Sequence, residues 1–573
     1  MSTSSSALAA LAARTRAVAG SAGSGPVGSV GSTTPVDEPR SDPGPLLEVI
    51  GAGRSVDGKQ ILEAVTFSAH RGEVVAIAGG SGAGKSTLLE LLAGRHVASR
   101  GSVSVDRRGV DPTDSGIGYV PQDDIVHGSL PLLRTLEYAA ALRLGVDGVD
   151  ARRSMARRAL AAVGLSDHLD TRVSALSGGQ RKRACIAVEL LGDPDLFLLD
   201  EPTSGLDPAT SAALLELLHE LARRGTTVVI TTHAPSDLDR CDRIVFLAPG
   251  GRHVFTGTAD EARSRFGVRL LADAYVELPD APSLDDRHFT DDTAKPRRAA
   301  DRTTDRSRRR PGWVRQWVAS TARTAELIVR NRLTLAILIG SPVFIIAMLA
   351  AVFRPGSFDA SQPLGAAQLV FWVVFSAFFF GLTYGLLQIV TERDVFRRER
   401  DAGLRSGAYV VAKVTVLVPF LALVDAAMLW VLDRNRQLSL STMEESLRLW
   451  GALTAVSCAA LVVGLATSAL VRTASQATLA LPMLCFPQVL FAGAIVPVSE
   501  MAAPGRILSA GLVGRWGFES FGRIAGLGRV QPGGWSTPGF AATFTGSALD
   551  GVIVLGIITG VAWVVTLWSL RTG

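Results

Sequence analysis

After about residue 330 the sequence carries six apolar runs, at about 333–353, 364–390, 408–432, 450–471, 476–497 and 549–570. Each can cross a hydrocarbon core of ~30 Å as a helix that rises ~1.5 Å per residue. A soluble helix of that length keeps a polar face, and these runs keep none, so a large soluble core is the poorer reading. The expectation is an all-α domain of six transmembrane helices over 333–573, with a long extracytoplasmic loop near 498–548. An even number of crossings returns both ends to one side. The loop TERDVFRRERDAGLRSG (391–407) holds five Arg in 17 residues, against four in the 51 residues of 498–548, which puts the former inside. Three Arg in 433–449 keep that bias modest.

The rest of the 573 residues is of another kind. Residues 1–44 are Ala, Ser, Gly, Thr and Pro with few large apolar side chains, which reads as a disordered tail. Over 45–270 short strands such as VVAIAG, LFLLD and TVVIT alternate with helical stretches such as SAALLELLHELARR, the pattern of an α/β domain with helices on both faces of a sheet. Charged, Pro-containing DDTAKPRR and DRSRRRP mark 271–312 as a linker. Trp313 to Arg332 then sets apolar residues opposite Arg along one helix, suited to the membrane interface. Cys185, Cys241, Cys458 and Cys485 have spacings of neither a zinc site nor a redox pair and read as reduced packing residues. The net charge of +5 comes from Arg clusters beside apolar runs, which fits a cytoplasmic membrane face better than a nucleic-acid groove.

Chemistry enters at GGSGAGKST. Gly79, Gly80, Ser81, Gly82, Ala83, Gly84, Lys85, Ser86 and Thr87 lie between the strand VVAIAG and a helix, and match the phosphate loop G-x-x-x-x-G-K-S in sequence and context. Backbone N–H groups can turn inward around phosphates, Lys85 supplies a cation to the β and γ phosphates of ATP, and Ser86 offers its hydroxyl to Mg²⁺. LFLLDEP ends a strand on two carboxylates. Asp200 suits the metal and Glu201 can polarise an attacking water, although without the phosphate loop the pair could simply cap the next helix.

LSGGQRKR narrows the reading. A Ser-Gly-Gly turn opens a helix whose first turn carries Arg181, Lys182 and Arg183, where the macrodipole is already positive, so a negative partner is expected. With Gln122 in GYVPQDD, Ser204 to Asp207 in TSGLD and His233 in VVITTHA, this ordered set resembles the nucleotide-binding domain of ABC transporters over about residues 46–266. The RKR cluster, the domain order and TERDVFRRERDAGLRSGAYVVAK further resemble the G-type (white and pleiotropic drug resistance) half-transporters and their bacterial ATP-binding/permease relatives, with an ABC-2 or type V exporter membrane domain. The resemblance implies that Gln122 contacts the metal and reports to the membrane domain, that His233 contacts the γ-phosphate, and that Asp207 bridges two nucleotide-binding domains. It implies also that Ser177, Gly178, Gly179 and Gln180 of one copy face the ATP held by Lys85 of another. A homodimer is the first expectation and a heterodimer with a similar half is allowed. Bacterial relatives often add a forkhead-associated domain upstream, and residues 1–44 offer none.

The implied protein is a multi-pass component of the cytoplasmic membrane, with its ATPase domain and both termini cytoplasmic, exporting a lipid or hydrophobic small molecule. A membrane-bound ATP-dependent regulator that moves no substrate is the alternative. Glu392 to Arg405 is expected to be a coupling element docked near Gln122 rather than a solvated loop. Asp425, inside the third run, lines either a substrate path or a hydrated outer vestibule, while Gln388 and Gln488 read as ties between helices. One departure stands out: Val56 occupies the position where an aromatic usually stacks on adenine, at a cost of ~1 kcal/mol.

Overall fold

The computed structural model of the protein describes residues 44–110, 116–279, 281–283, 311–358, 363–438, 442–529 and 538–572. The expected tail (all but Gly44), most of the charged linker and part of the 498–548 segment lie outside the described residues.

Ten strands form one sheet in the order β5-β4-β1-β2-β10-β9-β3-β8-β7-β6. β1 (Leu47–Val56), β2 (Lys59–Ala69), β4 (Arg100–Val105) and β5 (Arg108–Gly109) make an antiparallel flank. β3 (Val74–Gly79) lies parallel between β8 (Thr227–Thr232) and β9 (Arg243–Ala248), with β7 (Leu196–Leu199) and β6 (Ile117–Val120) beyond β8 and β10 (Arg252–Gly257) beyond β9. All residues of β3, β7, β8 and β9 are buried. That explains their largely apolar sequences, with the Thr of β8 and the leading Arg243 of β9 as exceptions, since a parallel strand covered on both faces has no polar side to show. The register pairs Leu199 with Ile230 and Ala78 with Thr232, so the C-terminal ends of β3, β7 and β8 finish side by side. Ligands of open parallel sheets bind at such a rim.

The helices of this domain include α1 (Lys85–Leu92), α2 (Leu132–Leu144), α3 (Val149–Ala162), α4 (Gly178–Leu190) and α5 (Pro208–Arg223). The expected linker begins too early at 271: Leu271–Glu277 is a helix whose Leu271 and Ala274, with Leu278 and Ala281 after it, join the α/β core.

α6 (Trp313–Arg330) runs up to Asn331, which accepts the Thr334 amide at 3.2 Å and so caps α7 (Arg332–Val352). Its polar stripe Gln316, Ser320, Arg323 and Thr324 is buried, and Val314, Val318 and Val329 are exposed. A helix packed by its polar face leaves its apolar face for a non-aqueous medium.

α8 (Pro363–Leu386), α10 (Ser406–Arg434), α11 (Met443–Leu470), α12 (Ala474–Phe491) and α14 (Ala548–Thr572) complete, among the described residues, six helices long and apolar enough to span, with the short polar α9 (Arg393–Asp401) between α8 and α10. α8 and α11 touch through glycine: a Cβ on Gly381 or Gly385 would strike the Ser457 or Leu461 carbonyl, and one on Gly464 the Leu382 carbonyl. Such close approach is what small residues supply in a bilayer, where apolar burial gives little drive. The segment expected to be a long loop is instead partly packed inside. α13 (Val513–Ile524) lies against α8, α11 and α14, with Phe518 and Phe521 in the core and Glu519 buried between Arg515 at 3.0 Å and Arg523 at 2.8 Å.

Candidate functional site

The loop after β3 opens α1 at Gly84, whose φ of +84° belongs to the left-handed region that glycine adopts at no steric cost. No side chain caps α1, which leaves its first amides to a ligand. Lys85 donates to the Gly79 and Gly80 carbonyls at 2.9 and 3.0 Å, drawing the loop into a ring. Burial holds its ammonium below the ordinary lysine pKa, against the opposing pull of Glu201 and Asp200.

Beside this ring, Ser86 of α1 and the adjoining strand ends bring four residues into a chain. The Ser86 hydroxyl donates to Asp200 Oδ1 at 3.2 Å, the Thr231 hydroxyl donates to the same oxygen at 2.5 Å, and the Glu201 amide donates to Thr231 Oγ1 at 2.8 Å. Asp200 is buried. One carboxylate and one hydroxyl beside a phosphate ring form a hard oxygen set, which fits Mg²⁺, since that ion keeps waters and takes few protein ligands. Glu201 sits at φ +43°, a strained conformation for a side-chain-bearing residue, held by its amide bond to Thr231. Its carboxylate lies between Gln122 Nε2 at 3.2 Å and His233 Nδ1 at 3.2 Å. Thus Ser86, Gln122, Asp200, Glu201 and His233, scattered over the sequence, meet at one rim; Gln122 reaches Glu201 in this arrangement.

Ser177 caps α4: its hydroxyl accepts the Gln180 amide at 3.3 Å, and Gln180 Oε1 accepts the Ser177 amide at 2.9 Å. Asp207 caps α5, accepting the Thr210 hydroxyl at 2.5 Å and the Thr210 amide at 2.9 Å, bonds that lower its carboxyl pKa. The negative partners expected for the Arg181–Arg183 cluster lie within the chain itself. Lys182 is buried and donates to the Pro121 and Gln122 carbonyls at 3.1 and 2.7 Å, Arg181 turns back to Leu176 O and toward Asp124, and Arg183 reaches Val163 O. The negative partner of this helix start is the backbone around Gln122, which Lys182 holds in place.

The far end of α4 meets the helical domain. Glu189 accepts Arg143 at 2.6 Å and, on its other oxygen, Arg398 of α9 at 2.9 Å; Arg398 also donates to the Ile125 carbonyl. Burial pushes the Glu189 carboxyl upward, and the two guanidinium groups outweigh it, leaving the pKa below the ordinary value. Arg95 pairs with Asp401 at 3.4 Å, while Arg323 of α6 pairs with Glu399. From α2, Arg134 and Tyr138 both hold Glu326 of α6 at 2.6 Å. The region expected to couple therefore docks a few residues past Gln122.

Other expectations fare unevenly. Asp425 is fully buried at the contact of α10 with α11, where its Oδ1 accepts the Ser457 hydroxyl at 3.1 Å and its Oδ2 has no hydrogen-bond partner among the described residues. Gln488 does tie helices, accepting the Gly514 amide at 2.6 Å, and Gln388 faces Lys413 at 3.4 Å. Val56 is partly exposed at the end of β1. Sequence reasoning missed Thr231 and Asp237. Asp237 is buried and accepts Thr203 and Thr232 at 2.7 and 2.8 Å, tying the loop after Glu201 to the end of β8. The doubled Thr before His233 was the available signal for Thr231.

Comparison with known proteins places both halves of the chain in sequence families. Residues 62–204 match the family model described as ABC transporter, and residues 315–521 the one described as ABC-2 type transporter. The chain is 34% identical over 506 residues to the ABC transporter ATP-binding/permease protein Rv1747 of Mycobacterium tuberculosis, covering 85% of this chain and 58% of that protein. It is 39% identical over 219 residues to ABC transporter G family member STR2 of Petunia hybrida, covering 35% of this chain and 30% of that protein. A solved structure of an ATP binding subunit of an ABC transporter is 32% identical with a TM-score of 0.36, covering 41% of this chain and 99% of that one. The chain thus spans under two thirds of the length of these two curated relatives.

Proposed function

We propose, for a chain that joins an ABC ATP-binding domain to an ABC-2 type membrane domain and so belongs to the ABC transporters, that it is a half-transporter which exports a lipid or hydrophobic small molecule at the expense of ATP. Two copies pair so that Ser177 of each faces the nucleotide on the other's phosphate loop.

The observation that carries this reading is α4. It begins at the exposed Ser177 cap and ends at Glu189, bonded to the membrane domain through Arg398. Twelve residues at ~1.5 Å make a rod of ~18 Å, so an anion engaged at one end is felt at the other. Lys182, midway, grips the Gln122 backbone, which links the rod to the carboxylate rim.

At that rim the residues have separable tasks. Lys85 and the α1 amides bind and orient phosphates. Ser86 and Asp200 would hold Mg²⁺, which supplies charge neutralisation to the phosphates. Glu201 orients a water and accepts its proton, with Gln122 and His233 positioning its carboxylate.

Glu201→Gln in the protein reconstituted into vesicles is expected to lower ATP turnover by at least ~100-fold while nucleotide binding persists. Export of labelled lipid extract should stop with it. Wild-type vesicles that hydrolyse ATP yet move no lipid or hydrophobic compound against a gradient would favour the regulator instead.

A further inference from the structure

Asp425 of α10, Ser457 of α11 and Ala377 of α8 meet where these three helices pack, and all three residues are buried. The Ser457 hydroxyl oxygen lies 3.1 Å from Asp425 Oδ1 and 3.2 Å from the Ala377 carbonyl oxygen. Ser457 sits near the middle of α11, so the cluster is deep within the spanning segments. Neither the ATPase rim nor the joint between the domains uses this carboxyl.

Two hydrogen bonds need two hydrogens, and the Ser457 hydroxyl has one. Its neighbours, an ionised carboxylate and a carbonyl, have none to give. With Asp425 ionised, one of the two contacts therefore sets lone pairs against lone pairs. A hydrogen on the carboxyl completes both, because Asp425 then donates to Ser457 Oγ while Ser457 donates to the Ala377 carbonyl.

The supply of donors points the same way. A buried carboxylate stays charged when a cation or several donors surround it. Oδ2 of Asp425 has no hydrogen-bond partner among the described residues, and neither has Thr454 Oγ1, which stands beside the carboxyl one turn before Ser457. No Lys, Arg or His of the described residues in α6, α7, α8, α10, α11 or α14 pairs with Asp425. Lys413, earlier on α10, is held by Glu392 at 2.9 Å. Tyr384, the titratable group that faces Asp425 from α8, donates its hydroxyl to the Leu338 carbonyl of α7 at 2.6 Å. A lone charge in a span costs at least ~2.5 kcal/mol, and a buried acid avoids that cost by becoming neutral.

The space is small as well. Gly381 of α8 lies so close to α11 that a Cβ on it would strike the Ser457 carbonyl. A metal cation needs a shell of oxygens around it, whereas a proton needs no cavity.

We propose that Asp425 is a proton-binding site in the membrane domain, a neutral carboxylic acid joined through the Ser457 hydroxyl to the Ala377 carbonyl. The step is protonation alone: one proton from water joins the carboxylate, and no other covalent bond forms or breaks. The chain of hydrogen bonds across α10, α11 and α8 then depends on that proton, whether or not a substrate is exported.

Infrared difference spectroscopy tests this on the full chain in nanodiscs at neutral pH, with the side-chain carboxyl of aspartate carrying a heavy carbon isotope. The parent protein should show the carbonyl stretch of a protonated carboxylic acid, moved by the label, and Asp425→Asn should lose it. Ser457→Ala, which leaves Asp425 in place and serves also where Asp425→Asn does not fold, should keep the band and shift it upward, since the acid hydrogen loses its acceptor. A parent spectrum with no labelled acid band, or one whose band Asp425→Asn retains, overturns the proposal. A labelled carboxylate stretch that Asp425→Asn removes, and that shifts when Na⁺ replaces K⁺, overturns it in favour of a metal cation. A band unmoved in Ser457→Ala overturns the hydrogen bond to Ser457 on which the proposal stands.

Discussion

Arg398→Ala probes the joint between the two domains. Glu189 has 2% of its side chain exposed, and Arg398 has 8%. Removing the guanidinium deletes one N–H bond to Glu189, from Nε, the ion-pair contact of its Nη2 with the same carboxylate at 2.9 Å, and one N–H bond to the Ile125 carbonyl. Breaking a buried ion pair by removing one partner costs ~3–5 kcal/mol. Arg143 stays on the other carboxylate oxygen, so the loss belongs at the lower end, about 3 kcal/mol. For a domain of this size that corresponds to a fall of roughly 6–12 °C in the ATPase transition of the full chain by calorimetry. Glu189→Gln should cost a similar amount, because it leaves two guanidinium groups without their acid. The double variant should then fall short of the sum by at least ~1.5 kcal/mol, the sign of a direct pair. Nucleotide affinity is unaffected in this scheme, since no contact at the phosphate ring changes. A shift below about 2 °C, or strictly additive costs, would refute the assignment of this pair as the joint.

Two further outcomes follow from the same geometry. His127 lies in the cleft between the domains with its Nε2 sealed from solvent, facing Arg323 and Glu399 and near Glu392, Lys413 and Arg398. Burial, then Arg323, lowers its pKa from 6.5 to about 4. The native pKa lies below the unfolded one, so the unfolded chain takes up the proton first as pH falls: stability is whole above pH 6.5 and declines toward pH 4, by about 2 kcal/mol near pH 5. His127→Gln should flatten that part of the pH–Tm curve, and superimposable curves would contradict it. In the adenine-stacking position that the family resemblance assigns to Val56, Val56→Tyr adds an aromatic surface at the end of β1 and should tighten ATP by about fivefold, the equivalent of ~1 kcal/mol of stacking; equal Kd values by titration calorimetry would show that Val56 does not border the base.

What could be read in advance divides along a physical line. The six spans, the phosphate loop and the Ser-Gly-Gly helix start were legible because each is a local pattern: a run of side chains, a turn followed by a helix, a cap with its box partner. Thr231 and Asp237 were not, because their roles depend on which strands lie side by side, and β7 pairs with β8 only through the register of a folded sheet. The partner of Arg398 lies 209 residues away in sequence. The Ser457 hydroxyl that one oxygen of Asp425 accepts lies on the next helix, which a span sequence does not display. α13 was hidden in a Gly-rich stretch whose buried face, Gly514, Gly517, Phe518, Phe521 and Gly522, is mostly too small to register as an apolar run.

The basic start of α4 is the place where these two levels of information meet. Read alone, Arg181, Lys182 and Arg183 in a positive helix end demand an anion, and a phosphate is the obvious one. In the fold each turns inward or sideways onto carbonyls and Asp124, with Lys182 committed to the Gln122 backbone. The cluster therefore does not compete for nucleotide; it ties the helix to the segment that carries Gln122. What remains at the exposed helix start is Ser177 with the Gly178 and Gly179 amides, which as first-turn groups have no partner within the helix. That is a smaller and better-defined anion seat than the sequence suggested, on the same helix whose far end is bonded to the membrane domain. A phosphate arriving there from a second copy, as in the proposed dimer, would find its charge met by amides while the basic side chains keep the rod attached to the carboxylate rim, and site closure and membrane motion would then share one rigid element.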